Sequence, residues 1–145
     1  MTATIESLRQ QHNAAEEMAA TIMAFIGSYR DEYDAIPIAR LIAKLNALLR
    51  VHFAFEDTVL YPLMMRSGDG EAAALAHLFA HETGTLAPEF EEFARRWSGP
   101  SAIEAMVDVF REEATTLFAA LGARIEREND LLYPLAERVT PSCAA

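Results

Sequence analysis

Apolar residues in this chain recur at alternating steps of three and four through four long segments. That period admits little besides packed helices. The first segment reads Ile5, Leu8, His12, Ala15, Ala19, Ile22, Ile26, Tyr29, and the second Ile38, Leu41, Leu45, Leu48, His52, Phe55, Val59. The third is carried by Phe79, Leu86, Phe90, Phe93 and Trp97. The fourth reads Val107, Phe110, Ala114, Leu117, Leu121, Arg124, Glu128, Leu131, Leu135. Glycine and proline are scarce, six of each, and strand-type alternation is hard to find. The reading is all-α.

The breaks between segments set the topology. The first helix is expected from about Thr4 to about Tyr33, and the second from near Pro37, a residue suited to a first helical turn, to about Arg66. Ser67-Gly68-Asp69-Gly70 forms a turn, with Asp69 as N-cap of a third helix that runs to about Trp97 and bends at Pro88. Ser98-Gly99-Pro100 ends it. Ser101 and Glu104 make a capping-box pattern for a fourth helix that ends near Val139. Short loops make successive helices antiparallel neighbours. The expectation is an up-down-up-down four-helix bundle in one domain spanning residues 1–145.

Polar residues interrupt these apolar lines. His12 sits on the first, His52 on the second with Glu56 one turn on, and Arg124 and Glu128 on the fourth. Buried polar groups are costly unless something satisfies them, and a metal ion is the most economical means. His77 and His81 share the spacing of four but lie off the third helix's apolar line; a rotation at Gly84 and Pro88 is needed to bring them inward. Counted from the turns, His12, Glu56 and His81 share a level. Glu128 stands several residues farther along than His77, roughly 10 Å at about 1.5 Å per residue. A second pattern accompanies the first: Val59-Leu60-Tyr61-Pro62 follows Glu56, and Leu131-Leu132-Tyr133-Pro134 follows Glu128. This repeat pairs the second helix with the fourth.

Composition excludes several classes. The net charge of −10 repels phosphate backbones, so no nucleic acid partner is expected. No apolar run approaches the ~20 residues of a membrane span, and the first residues carry no signal-peptide pattern. The lone Cys143 precludes an internal disulfide and reads as a tail thiol. A cytoplasmic protein is expected. The donor set, imidazole and carboxylate without thiolate, favours iron, manganese or zinc. The Glu-x-x-His pattern of ferritin-type di-iron bundles is missing; the spacing here is His-x-x-x-Glu.

On these residues the chain resembles the hemerythrin-like, or HHE cation-binding, family. The resemblance runs from His12 to Pro134 and is carried by His12, by His52-Phe-Ala-Phe-Glu56 with Leu60-Tyr61-Pro62, by His77-Leu-Phe-Ala-His81, and by Glu128 with Leu132-Tyr133-Pro134. It implies a four-helix bundle holding a non-haem di-iron centre. Glu56 and Glu128 would bridge the ions, His12 and His52 would serve one, and His77 and His81 the other. Family activities include dioxygen binding, responses to oxygen, nitric oxide or iron, and peroxide chemistry. One position departs: where the family motif has histidine, this chain has Arg124, which cannot ligate a metal. A vacant coordination position, a substitute ligand, or a guanidinium that fills the space and leaves one ion or none are the three outcomes left open.

Three functional readings follow. The first is a metal-binding, di-iron protein that senses or reacts with dioxygen, nitric oxide or peroxide, with Tyr61, Tyr133 or Arg124 steering the ligand or the tyrosines packing at the bundle's end. The second is a regulatory module with a degenerate metal site and a protein partner, as in stress signalling. An oxidase- or peroxidase-like enzyme is the third, ranked last because no acid or base stands apart from the proposed ligands.

Overall fold

The computed structural model describes residues 2–140, so Cys143 lies outside the described residues. Among these residues, seven α-helical segments and two π-helical turns make four rods. Helix α1 spans Thr2–Gly27. The second rod is α2 (Glu32–Phe55), a π-turn π1 (Glu56–Leu60) and α3 (Tyr61–Met65). The third is α4 (Gly70–Arg96). A short α5 (Pro100–Ala105) leads into the fourth rod, made of α6 (Val107–Arg127), π2 (Glu128–Leu132) and α7 (Tyr133–Val139). Among the described residues there is no strand, and the tight links between rods give the four-helix bundle.

Local chemistry moves the boundaries from those read in the sequence. The first turn comes earlier, because Asp31 rather than Pro37 starts the second rod: its side chain accepts the Tyr33 N–H at 3.0 Å. Asp69 caps α4 as expected, taking the Ala72 N–H at 3.0 Å. The Ser101–Glu104 capping box does not form. Gly99 is the N-cap of α5 without a side-chain bond, and Pro100, which needs no N–H partner, opens the helix. Helix α4 runs unbroken through residues 84 and 88.

The core has two parts. At the end where α5 crosses α2, Phe93 stacks on Phe110 at 5.8 Å between centroids, and Trp97 meets Phe110 edge-on at 5.2 Å. Phe90, Phe118, Leu45, Leu49 and Ile125 extend this cluster toward the middle. At the opposite end Ile5, Leu8, Leu60, Tyr61, Met64, Phe79, Leu132, Tyr133 and Ala136 form a smaller one. The apolar lines hold until the π-turns and then slip by one residue. Val59 and Leu131, expected inside, are 37% and 50% exposed, whereas Leu60 and Leu132 are fully buried. An extra residue in one turn rotates everything after it, so a strict count of three and four fails there.

Candidate metal centre

Both π-turns open on a glutamate and close on Tyr-Pro. Pro62 and Pro134 have no N–H, and in a regular helix their rings would press on the carbonyl four residues back. The widened turn relieves this. The N–H of Tyr61 reaches the carbonyl of Glu56, and that of Tyr133 reaches the carbonyl of Glu128, each five residues back. Each turn sets a carboxylate and a tyrosine hydroxyl inside the bundle. Glu56 and Glu128 are fully buried.

Four residues converge between the two apolar clusters. Donor atoms of His12, His52, Glu56 and Glu128 all lie within 4.8 Å of one another. The Nε2 atoms of His12 and His52 are 3.0 Å apart. His12 Nε2 is 2.8 Å from Glu128 Oε1, and His52 Nε2 lies 3.5 Å from both Glu128 Oε1 and Glu56 Oε1. The hydroxyl of Tyr133 stands among them. It donates to Glu56 Oε2 at 3.0 Å and lies 3.1 Å from His12 Nε2, 3.4 Å from His52 Nε2 and 3.3 Å from Glu128 Oε1.

The imidazoles are held from behind. His12 Nδ1 donates to Asn129 Oδ1 at 2.8 Å, and His52 Nδ1 to Gln11 Oε1 at 2.7 Å. Amide oxygens only accept, so each Nδ1 carries a proton, and Nε2 is the nitrogen that presents a lone pair inward whenever the ring is neutral. Two Nε2 atoms and two carboxylates therefore face one another, and the few protons held there cannot serve every acceptor. Glu56 Oε1 is buried and has no hydrogen-bond partner. A cation satisfies all of these at once, so these residues fit a metal ion.

Charge balance agrees. Burial drives the Glu56 carboxyl above its ordinary range, and the neighbouring Glu128 adds to it, although His52 pulls the other way. Burial also presses on Glu128, but contacts with His12 and His52 and the charge of Arg124 outweigh it and hold that group well below the usual carboxylate range. His52 resists burial because Glu128 and Glu56 stabilise its cation, lifting it to about 9. Tyr133 is pushed far up by burial and by Glu56 and Glu128. Without an ion, the site keeps protons that a bound cation would displace.

Two expected ligands stand apart. His77 and His81 are exposed on α4 and take no part in the cluster. The inward-facing residues of α4 around them are Ala72, Ala76, Phe79 and Leu86, and since the helix runs unbroken, no rotation brings the two histidines in. Of the six residues expected as ligands, the structure brings four together. Arg124 is buried beside them. Its Nε donates to Glu128 Oε2 at 2.8 Å, and Nη2 donates to the Tyr61 hydroxyl at 2.5 Å and the Phe79 carbonyl at 3.1 Å. Gln11 and Asn129 were not singled out by the apolar count, since they sit beside His12 and Glu128 in sequence but off their helical lines.

Fold and centre together define a helical-bundle protein with a buried nitrogen and carboxylate site of metal-binding type. The hemerythrin HHE cation-binding domain model matches residues 3–136, and the chain belongs to that family. No match was found among curated proteins or among solved structures. Among the described residues no helix is long and apolar enough to cross a membrane.

Proposed function

We propose that this protein holds iron through His12, His52, Glu56 and Glu128 and uses it to bind, sense or react with a small oxidant: dioxygen, nitric oxide or peroxide. One observation carries the reading: two Nε2 atoms and two buried carboxylates face a common point, with both Nδ1 protons already committed elsewhere. Two imidazoles with carboxylates suit ferrous iron, and manganese and zinc are the competing ions. When bound, iron supplies open coordination positions and one-electron chemistry.

The chain's own groups limit what enters. The four donor residues are at most 2% exposed, so they are closed to a large substrate. The Tyr133 hydroxyl is within reach of every donor group and can turn its proton toward an oxygen-ended ligand. Arg124 places a fixed positive charge behind Glu128. Iron content per chain after anaerobic reconstitution tests the reading. Retention of iron that His52→Ala abolishes is expected; no uptake of iron under reducing conditions would refute it.

A second reading draws on Arg124 itself. In it the ion-paired guanidinium marks a degenerate site, and the protein is a regulatory module whose surface binds another protein. Surface substitutions that abolish cellular activity, together with unaffected His52→Ala and Glu56→Ala variants, would favour it.

A further inference from the structure

We infer that Arg124 takes the place of a second cation and restricts the centre to one metal ion per chain. The inference rests on the metal-binding reading above. The two repeats carry it: His52, Glu56 and Tyr61 occupy the same relative positions in the second rod as Arg124, Glu128 and Tyr133 in the fourth. The tyrosines cross over. Tyr133 reaches back to Glu56 at 3.0 Å, and Tyr61 lies 3.5 Å from Glu128 Oε2. The carboxylates thus stand between two sides.

The sides are furnished differently. One has His12, His52 and the Tyr133 hydroxyl, all with oxygen or nitrogen atoms aimed at a common point. The other has Arg124, the Tyr61 hydroxyl and the Phe79 carbonyl, and there the guanidinium already binds both oxygens. Glu128 joins the two. Its Oε1 is 2.8 Å from His12 Nε2 and its Oε2 is 2.8 Å from Arg124 Nε. A carboxylate with one oxygen toward each of two cationic positions is what a bridging ligand does, and here one position is filled by an amino acid.

Three features make the replacement permanent. A guanidinium stays protonated in a protein. Its plane is fixed, because Arg124 lies over the Phe79 ring at 4.8 Å and approaches Glu82 at 3.6 Å. His77 and His81, which flank Phe79 on α4, face outward; α4 offers this side the Phe79 carbonyl and the part-buried Glu82 carboxylate, and Arg124 engages both. A dication added next to this fixed charge, in an interior of low dielectric, meets repulsion where the guanidinium already holds the available oxygens.

Ferrous ion under reducing conditions is the probe, counted by elemental analysis against chain concentration, followed by oxidation and electron paramagnetic resonance. The wild-type chain is expected to hold one ion and to give the strong signal of an isolated high-spin ferric ion. Two ions, with the silent spectrum of a coupled ferric pair, overturn the inference and leave metal binding intact. No ion overturns the metal-binding reading itself. Arg124→His is expected to raise the count above one; a count that stays at one shows that the guanidinium is not what excludes the second ion. Should that variant fail to fold, Arg124→Gln removes the same charge and carries the same expectation, and the wild-type count needs no variant at all.

Discussion

The aromatic end of the bundle and the layer between its two apolar clusters bury opposite things. Between α5 and the middle, Phe90, Phe93, Trp97, Phe110 and Phe118 pack ring against ring, and the Trp97 indole N–H finds Glu113 at 2.7 Å. Between this cluster and the apolar one at the far end, the same four rods enclose two carboxylates, two imidazoles and a guanidinium. Burying aromatic surface stabilises by about 25 cal/mol per Å². Burying charge costs free energy unless each group is paired. The apolar clusters on either side therefore give the fold its stability, the aromatic one most, and that stability lets the polar layer keep an arrangement that a metal-free chain satisfies only in part.

This contrast predicts that the two regions can be damaged separately. Phe110→Ala, which opens a cavity between Phe93 and Trp97, should cost about 3–5 kcal/mol in chemical denaturation and leave the bound metal per chain unchanged. A loss of metal in step with stability would show that the regions are not separable.

The polar layer should make the metal-free protein sensitive to pH. His52 is lifted from 6.5 to about 9, so the folded chain holds its proton where the unfolded chain has lost it. The stabilisation is complete below about pH 6.5 and is lost as pH rises toward 9, by at most about 3 kcal/mol. The raised Glu56 carboxyl acts in the same direction above its ordinary range. Denaturation midpoints of chelator-treated protein, measured from pH 6 to 9, should fall, and His52→Gln should flatten the curve.

The groups behind the imidazoles come next. Gln11→Ala and Asn129→Ala should each weaken metal affinity about 10- to 100-fold, since the freed Nδ1 no longer fixes the tautomer. Neither should move the stability of the metal-free protein as far as Phe110→Ala does. The smallest effect belongs to the surface. Arg138→Ala removes contacts to Asp69 and Glu71 that solvent screens, and neither the denaturation midpoint nor the metal content should change measurably.

Most of the fold was legible because period and turn chemistry agree. Asp69 and the glycines around it mark one turn whichever way the chain is read. The phase of the lines was legible only as far as His52 and Glu128, since each π-turn adds a residue that a fixed period does not anticipate; Val59 and Leu131 fell on the wrong side for that reason. The repeated Tyr-Pro was visible, but its consequence for the backbone was not. His12, His52, Glu56 and Glu128 could be found because each sits on or beside an apolar line. His77 and His81 could not be placed correctly by spacing alone: a shared interval of four puts two side chains on one face without saying which way the face looks. The angles already set them off the line of Phe79, and the unbroken α4 keeps them there.

The central claim is that the four inward-facing donors grip a cation. Denaturation of the wild-type chain and of His52→Ala, each with and without ferrous ion under reducing conditions, tests it most directly. At free iron about a hundredfold above the dissociation constant, the wild type should gain about 2.7 kcal/mol and His52→Ala little or nothing. Equal stability of the wild type with and without iron, across concentrations that load other histidine–carboxylate sites, would contradict the account.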